Sequence, residues 1–269
     1  MRFAEGVRGA FDTIRAYPLR AFFTIFGTLT GVAFLVAVIT ILQGMSSYVE
    51  TRVIGRFYGH NTVTVRRAPP RDLAASATER RARSRYHRLT LDDARWLEER
   101  MRTPGAVSAA WSASTAAASG GRKLSGVTVS GATPGHFYVN GIGIAEGRPF
   151  TDHEAERGLP VVVIGRDVAD RLFPGASAPG RRVLLAGLPY RVVGVLARQG
   201  KLFTVSLDRT AIVPARSPLN GVATPRDVVE VISFKVPRSA LLPAAMAEVE
   251  GWMRLRKRLR PGEENEFSV

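Results

Sequence analysis

The sequence contains no cysteine, so it offers no thiol nucleophile and nothing in it depends on the redox state of a compartment. Lysine is also scarce. Only four of the 38 basic residues are lysines, and the arginines are scattered through the whole chain. The formal net charge of +15 therefore indicates a general arginine bias, and no zinc-finger, basic-zipper or base-stacking pattern accompanies it. We expect no nucleic-acid partner, and a basic surface of this kind suits anionic lipid head groups better.

Motifs that carry enzyme or nucleotide chemistry are missing as well. There is no G-x-x-x-x-G-K-[ST] loop to cradle phosphates, no H-E-x-x-H zinc motif and no G-x-S-x-G nucleophile elbow. The run at 141–146 imitates a dinucleotide loop, but a glutamate occupies the position of the third glycine. The acidic run 152–156 is expected to be a solvated turn, and His60, His87 and His136 stand alone in the sequence. We therefore predict no catalytic residue, no cofactor-binding residue and no metal ligand.

The feature that organises the chain is a stretch of 29 residues without a charge, at 21–49. Its apolar part, 21–42, would extend about 33 Å as a helix, enough to cross a bilayer core of about 30 Å. In hydrocarbon such a segment forms a helix, because its backbone has to satisfy its own hydrogen bonds. A signal peptide is an alternative, but the run begins late and is too long for one. A buried core helix is another, but such helices rarely extend this far without a charge. We predict a transmembrane helix over 21–49.

The flanks of this span predict its orientation. Four arginines precede it: Arg2, Arg8, Arg15 and Arg20. Short basic flanks stay in the cytoplasm, whereas long domains are translocated largely regardless of their charge. We therefore expect a cytoplasmic N-terminus, with residues from about 50 onward outside the cytoplasm.

Residues 2–18 predict a short amphipathic helix upstream of the span. Its apolar residues recur at helical spacing between charged ones: Phe3, Val7, Phe11 and Ile14. This pattern is typical of a helix in the membrane interface, so we expect residues 1–20 at the cytoplasmic interface; a plain charged tail is the alternative. Within the span, Gly27 and Gly31 form a G-x-x-x-G motif that lets another helix approach closely. The alternative for these glycines is a lipid-facing coincidence.

Downstream of the span, hydrophobic patterns predict a mixture of strands and helices. Strands are expected where apolar residues alternate or run together: 61–67, 106–118, 126–131, 161–164, 182–185, 190–196, 211–214 and 228–236. Helices are expected over 90–101, capped by Thr90, and through Ala169 and Leu172. A last helix would be capped by Ser239. Its buried stripe would be Leu242, Met246, Val249 and Met253, and its basic end, 254–260, would be solvated. Residues 71–85 predict a surface loop.

Three stretches then carry a resemblance to a known family. Leu19-Arg20, followed by Thr24, Gly27 and Gly31, is similar to the Leu-Arg…Leu-Thr-x-Leu-Gly-x-x-x-Gly pattern of MacB/FtsX-type ABC-transporter permeases, although Ala21 and Phe26 depart from it. Five segments follow in the family's order: VSGATPGHF (129–137), GRPFTD (147–152), VVVIGRDVADRLFP (161–174), PGRRVLLAGLPYRVVGVL (179–196) and DRTAIVP (208–214). The tail EENEFSV (263–269) looks like the family's acidic-aromatic lead-in to a second span. The chain thus resembles the N-terminal half of such a permease.

The resemblance implies an α+β fold in which an N-terminal transmembrane helix precedes an extracytoplasmic porter-like α/β domain with an inserted β-rich Sabre-like subdomain. The porter-like subdomain would comprise 58–135 and 226–260, and the Sabre-like subdomain 146–225. Residues 261–269 would lead to a second transmembrane helix that is missing from this sequence.

The resemblance also implies a function and partners. The chain would be a permease subunit in the cytoplasmic (inner) membrane that couples ATP hydrolysis to a conformational change outside it, for export or extraction of a substrate. Because the chain has no phosphate-binding loop, it would borrow a separate ABC ATPase subunit. Further implied partners are a second permease, in a homo- or heterodimer, and a periplasmic adaptor. Two alternatives stay open: a single-span anchored sensor or binding module, and an anchored extracytoplasmic enzyme.

Overall fold

The computed structural model describes residues 18–48, 61–67, 86–202 and 205–269, and the chain divides into two compact units, Met1–Ile54 and Gly55–Val269. The described part of the first unit is helix α1, Pro18–Tyr48. Proline suits a helix start, where its missing N–H has no partner to lose. The predicted interfacial residues Phe3, Val7, Phe11 and Ile14 and the predicted loop at 71–85 lie outside the described residues.

Helix α1 covers nearly all of the predicted span. Among the residues that the structure describes, no helix meets the length and hydropathy required to cross a membrane. The transmembrane assignment of 21–49 therefore stays a prediction.

The second unit combines strands with five short to medium helices in its described residues. The helices are α2 (Leu91–Arg100), α3 (Gly135–Val139), α4 (Asp152–Glu156), α5 (Arg166–Leu172) and α6 (Leu242–Arg256), with a 3₁₀ turn at Ser239–Leu241. The first strands are β1 (Thr62–Arg66), β2 (Leu89–Thr90), β3 (Ala106–Ser119), β4 (Arg122–Ala132), β5 (Ile144–Gly147) and β6 (Val161–Ile164). The later strands are β7 (Arg182–Leu185), β8 (Leu188–Leu196), β9 (Lys201–Leu202), β10 (Val205–Ser206), β11 (Thr210–Pro214), β12 (Val228–Val229) and β13 (Val231–Lys235).

One nine-stranded mixed sheet organises these elements, in the order β1-β13-β3-β4-β11-β6-β8-β5, and β7 pairs with both β3 and β8. The long strand β3 makes this possible. Its first half pairs with β13 through Ala106–Ala110, and after a bulge beyond Thr115 its second half pairs with β7. Strands from the predicted porter-like and Sabre-like subdomains therefore share one sheet, and the boundary between those subdomains stays a prediction.

Both faces of this sheet are covered, as the all-apolar strand β6 shows. Val162 and Ile164 join the larger core cluster, whereas Val161 and Val163 join a smaller one on the opposite face. Successive side chains of a strand point to opposite faces, so a strand buried on both faces reads as a continuous apolar run. Helices α2, α5 and α6 contribute to the larger cluster, and α3 and α4 contribute to the smaller one.

The start of the last helix differs from its prediction. Ser239 does not cap it: a 3₁₀ turn occupies Ser239–Leu241, and α6 follows with no side-chain cap and with a proline in its first turn. The predicted stripe is also wrong at one position, because Met246 is 47% exposed and Ala245 is buried in its place. The two positions are adjacent, and both fit the helical spacing of Leu242, Val249 and Met253.

Two charged segments were also expected to be solvated. Most of their charged residues are exposed, and the structure corrects the expectation at a few positions. The acidic run 152–156 forms α4, and Glu154 within it is buried and ion-paired with Arg148. At the basic end of α6, Arg256 and Lys257 bind the buried carboxylate of Asp93. In both cases a long arginine or lysine side chain brings its charge to a carboxylate that the fold has buried.

Candidate functional site

A cavity of about 270 Å³ lies between helices α2 and α4, at the ends of strands β3, β4 and β11. We call it the interhelix cleft. Its apolar lining comes from α2 (Leu91 and Ala94), the strand ends (Val107 and Ala132) and α4 (Ala155). These are small or medium side chains, so the space between the two helices is left partly unfilled. The cleft therefore has an apolar floor that a ligand or a moving helix can cover.

Charged side chains form the rim of the interhelix cleft. Arg95 and Glu98 come from α2, Asp152 and Glu156 from α4, and Arg216 follows β11. Partial desolvation raises the pKa of Glu98 above its ordinary value, and the negative charge of Asp152 across the cleft raises that pKa further. Among the described residues no salt bridge joins α2 to α4. Glu98 and Asp152 thus face each other as like charges, and Arg95 and Arg216 are the basic residues of the same rim.

The two walls are fixed to different supports. On the α4 side, the Glu154 carboxylate accepts two hydrogen bonds from Arg148, both 2.8 Å long, and one from the Thr151 backbone N–H at 2.8 Å. The hydrogen bonds from Arg148 lower the pKa of Glu154 to about 2. This capping box and ion pair hold α4 against the segment that follows β5.

On the α2 side, the fixed support is helix α6. Asp93 closes a capping box with Thr90 and also accepts hydrogen bonds from Arg256 (2.9 Å) and Lys257 (2.6 Å). Burial alone would raise the pKa of Asp93, but the hydrogen bonds from Lys257 and Arg256 outweigh it and lower that pKa. Each wall of the cleft is therefore held by its own ion pair.

A second groove, of about 470 Å³, lies on the sheet face that carries the smaller core cluster. Thr128, Ser130 and Ile212 line its floor, and His136 and Asn140 line one side. The His136 Nδ1 atom lies 3.1 Å from Ser108 Oγ and 3.0 Å from Asn140 Nδ2. Burial lowers the pKa of His136 to about 4, so the ring is neutral near pH 7. Ser108 is itself buried.

Several residues singled out in the sequence lie in the described part of the chain, and each has its own surroundings. Gly27 and Gly31 lie in α1, and a Cβ added to either would meet no atom within 4 Å in the part of the chain that is described. His87 contacts Glu266 rather than standing alone. No group of three or more metal-ligating side chains is found among the described residues. The proximity of Glu98 to Asp152 was not predicted from the sequence, because several strands separate the two residues along the chain and no motif links them.

Comparison with known proteins gives the family. Residues 21–251 match the family model described as MacB-like periplasmic core domain. The macrolide export ATP-binding/permease protein MacB of Nitrobacter winogradskyi is 30% identical over 232 residues, which are 85% of this chain and 33% of that protein. The ABC transporter permease YknZ of Bacillus subtilis is 26% identical over 208 residues, which are 77% of this chain and 50% of that protein. The chain thus spans a third to a half of the length of these relatives.

Solved structures agree with the fold described above. The periplasmic region of MacB from Actinobacillus actinomycetemcomitans superposes with a TM-score of 0.63 at 19% identity, over 81% of this chain and 91% of that one. The extracellular domain of YknZ from Gram-positive bacteria superposes with a TM-score of 0.57 at 20% identity, over 78% and 99%. The family resemblance read from the sequence is confirmed: this chain belongs to the family of MacB-like periplasmic core domains.

Proposed function

We propose that this chain is the N-terminal portion of an ABC-transporter permease and that its domain outside the membrane changes conformation when an ABC ATPase binds and hydrolyses ATP. The observation that carries the proposal is the family match over residues 21–251, whose relatives are named as ABC permeases. The movement would serve export or extraction of a substrate. The relative MacB is an ATP-binding/permease protein by name. This chain has no phosphate-binding loop, and we assign ATP hydrolysis to a separate subunit.

The proposed membrane anchor is α1. Phe34, Leu35 and Val36 are all exposed. Successive residues of a helix point about 100° apart, so these three large apolar side chains face different directions around the helix. Such a helix needs an apolar environment on every side. We assign residues 1–20 to the cytoplasmic interface and residues from about 50 onward to the outside. Gly27 and Gly31 would let a helix of a second permease, in a homo- or heterodimer, pack closely.

The interhelix cleft is the proposed moving part. Helix α2 belongs to the porter-like subdomain (58–135 and 226–260), and α4 belongs to the inserted Sabre-like subdomain (146–225). Glu98 and Asp152 carry like charges on opposite walls, and each wall has its own ion pair, which supports a change of width without loss of either helix. A periplasmic adaptor, outside the cytoplasm, would respond to this movement.

The test is a distance measurement across the cleft. Because the 269 residues contain no cysteine, Glu98→Cys with Asp152→Cys introduces two spin-label sites in each copy of this chain. Dipolar broadening in continuous-wave electron paramagnetic resonance, which reports short separations between labels, is recorded on the full permease reconstituted in lipid with its ATPase, with and without ATP. We expect the distance distribution between the two labels to shift on ATP binding.

A matched pair in one sheet provides the control. Thr62 and Lys235 lie directly opposite each other on β1 and β13, so Thr62→Cys with Lys235→Cys reports a fixed distance. A shift at the cleft with no shift at the control pair supports the proposal. Identical distributions with and without ATP at both pairs would contradict it and favour the anchored sensor or binding module, for which ATP is irrelevant.

A further inference from the structure

The strands at one end of the sheet carry exposed basic side chains around an exposed leucine. The register places Lys123, Ala118, Leu184 and Pro189 in one row across four strands, and Arg182 directly opposite Arg191 in the next row. Side chains of directly paired residues lie on the same face of a sheet. We call this set the basic face: Ala118, Lys123, Arg182, Leu184, Pro189 and Arg191.

Acidic residues are absent from these strands. Positions 101–145 and 171–207 contain no aspartate or glutamate, and these two segments include all of β3, β4, β7 and β8. In the described part of the chain, Lys123 and Arg182 form no ion pair. Among the described residues Arg191 reaches only Glu154, at 3.9 Å, and that carboxylate is already bound by Arg148 at 2.8 Å. Most of the charge of the basic face is therefore left uncompensated by the described part of the chain.

This arrangement costs stability. Like charges directly opposite each other on neighbouring strands are destabilising, and Arg182 faces Arg191 in this way. The fold gains no ion pair from Arg182 in return. A position that weakens the fold and leaves its charge outward is suited to an external partner of opposite charge.

We propose that the basic face docks a protein surface on which acidic side chains surround an apolar centre. Leu184 is 43% exposed and shares its row with Pro189, so the face has an apolar centre between cations. Protein interfaces have this anatomy, an apolar centre within a polar rim. A lipid head group or a free phosphate would use the cations but leave Leu184 uncovered. The proposal concerns this face alone and does not depend on the proposed transport function.

The test measures binding of a defined peptide to the full chain in neutral detergent. The probe is a synthetic helical peptide with a leucine stripe flanked by glutamates, and its partner probe carries lysines in place of the glutamates. We expect salt-sensitive binding of the acidic peptide only. Arg182→Glu should weaken that binding roughly tenfold, because it places a like charge against the peptide. The same variant should keep or raise the midpoint temperature of unfolding, since it replaces the repulsion between Arg182 and Arg191 with an attraction.

Three further variants and a displacement experiment decide the outcome. Arg238→Glu makes the same charge change at an exposed position outside the basic face and should leave affinity unchanged. Leu184→Ser should weaken peptide binding without changing the charge. Arg182→Glu with Arg191→Glu should bind the lysine peptide instead. No binding of the acidic peptide, equal loss with Arg238→Glu, or displacement of the peptide by inorganic phosphate or short-chain phosphatidylglycerol with no effect of Leu184→Ser would overturn the proposal.

Discussion

At the scale of single residues, the tightest packing lies between β3 and β4. Gly131 is the register partner of Trp111, whose indole is 1% exposed and donates a hydrogen bond of 2.9 Å to the Ala215 carbonyl. A Cβ on Gly131 would overlap the indole ring. We therefore expect Gly131→Ala to destabilise the fold by about 1–3 kcal/mol, because the tryptophan has to leave its position. Urea unfolding of the full chain, followed by tryptophan fluorescence, measures this change.

The matched control is a glycine with free space around it. Gly251 lies inside α6, and a Cβ there would meet no atom within 4 Å. Gly251→Ala should stabilise the fold by about 0.5–1 kcal/mol, since alanine loses less backbone entropy in a helix. If both variants changed stability in the same direction, the crowding of Gly131 would not be the cause.

At the scale of secondary-structure elements, a buried charge cluster joins α2 to α6. The Asp93 carboxylate is 4% exposed and the Lys257 side chain 9% exposed, and they lie 2.6 Å apart. We expect Asp93→Ala to cost about 3–5 kcal/mol, because it leaves the lysine charge buried without a partner and removes the carboxylate half of the capping box, the hydrogen bond from the Thr90 backbone N–H. Chemical denaturation of the full chain measures this loss.

A double variant separates the two causes. Asp93→Ala with Lys257→Met removes both charges, so it should recover much of the lost stability. The remaining loss would reflect the two hydrogen bonds that the Asp93 carboxylate accepts from the Thr90 backbone N–H and from Arg256. A double variant that is as unstable as the single one would show that the lysine charge contributes little.

The same elements show what sequence patterns can predict. The bounds of β1, α2 and β6 follow from local signals: alternation, the Thr90–Asp93 capping box and a continuous apolar run. The burial of Ala245 instead of Met246 could not be predicted, because both fit a helical stripe. The two walls of the interhelix cleft could not be predicted either, since only the sheet topology brings Glu98 near Asp152. Family resemblance supplied the domain type, which periodicity alone leaves open.

At the scale of the second unit, the last residues complete the sheet edge. Ser268 and Arg66 exchange backbone hydrogen bonds of 2.9 and 3.0 Å, so the final segment runs antiparallel beside β1. Phe267 is buried in the larger core cluster, and Glu266 accepts hydrogen bonds from His87. The final segment of this unit thus holds its first strand, β1, in place.

This closure predicts a long-range effect of a terminal substitution. Phe267→Ala should cost about 3–5 kcal/mol through the lost burial of its ring, and it should free β1 first. Hydrogen exchange followed by mass spectrometry should show faster exchange in 61–67 while β6, in the middle of the sheet, stays protected. The exposed Leu255→Ala provides the control, because it removes an apolar side chain that contributes little to the core. Exchange that rises equally in β1 and β6 would mean that the variant unfolds the whole unit and that the final segment has no local role at this edge.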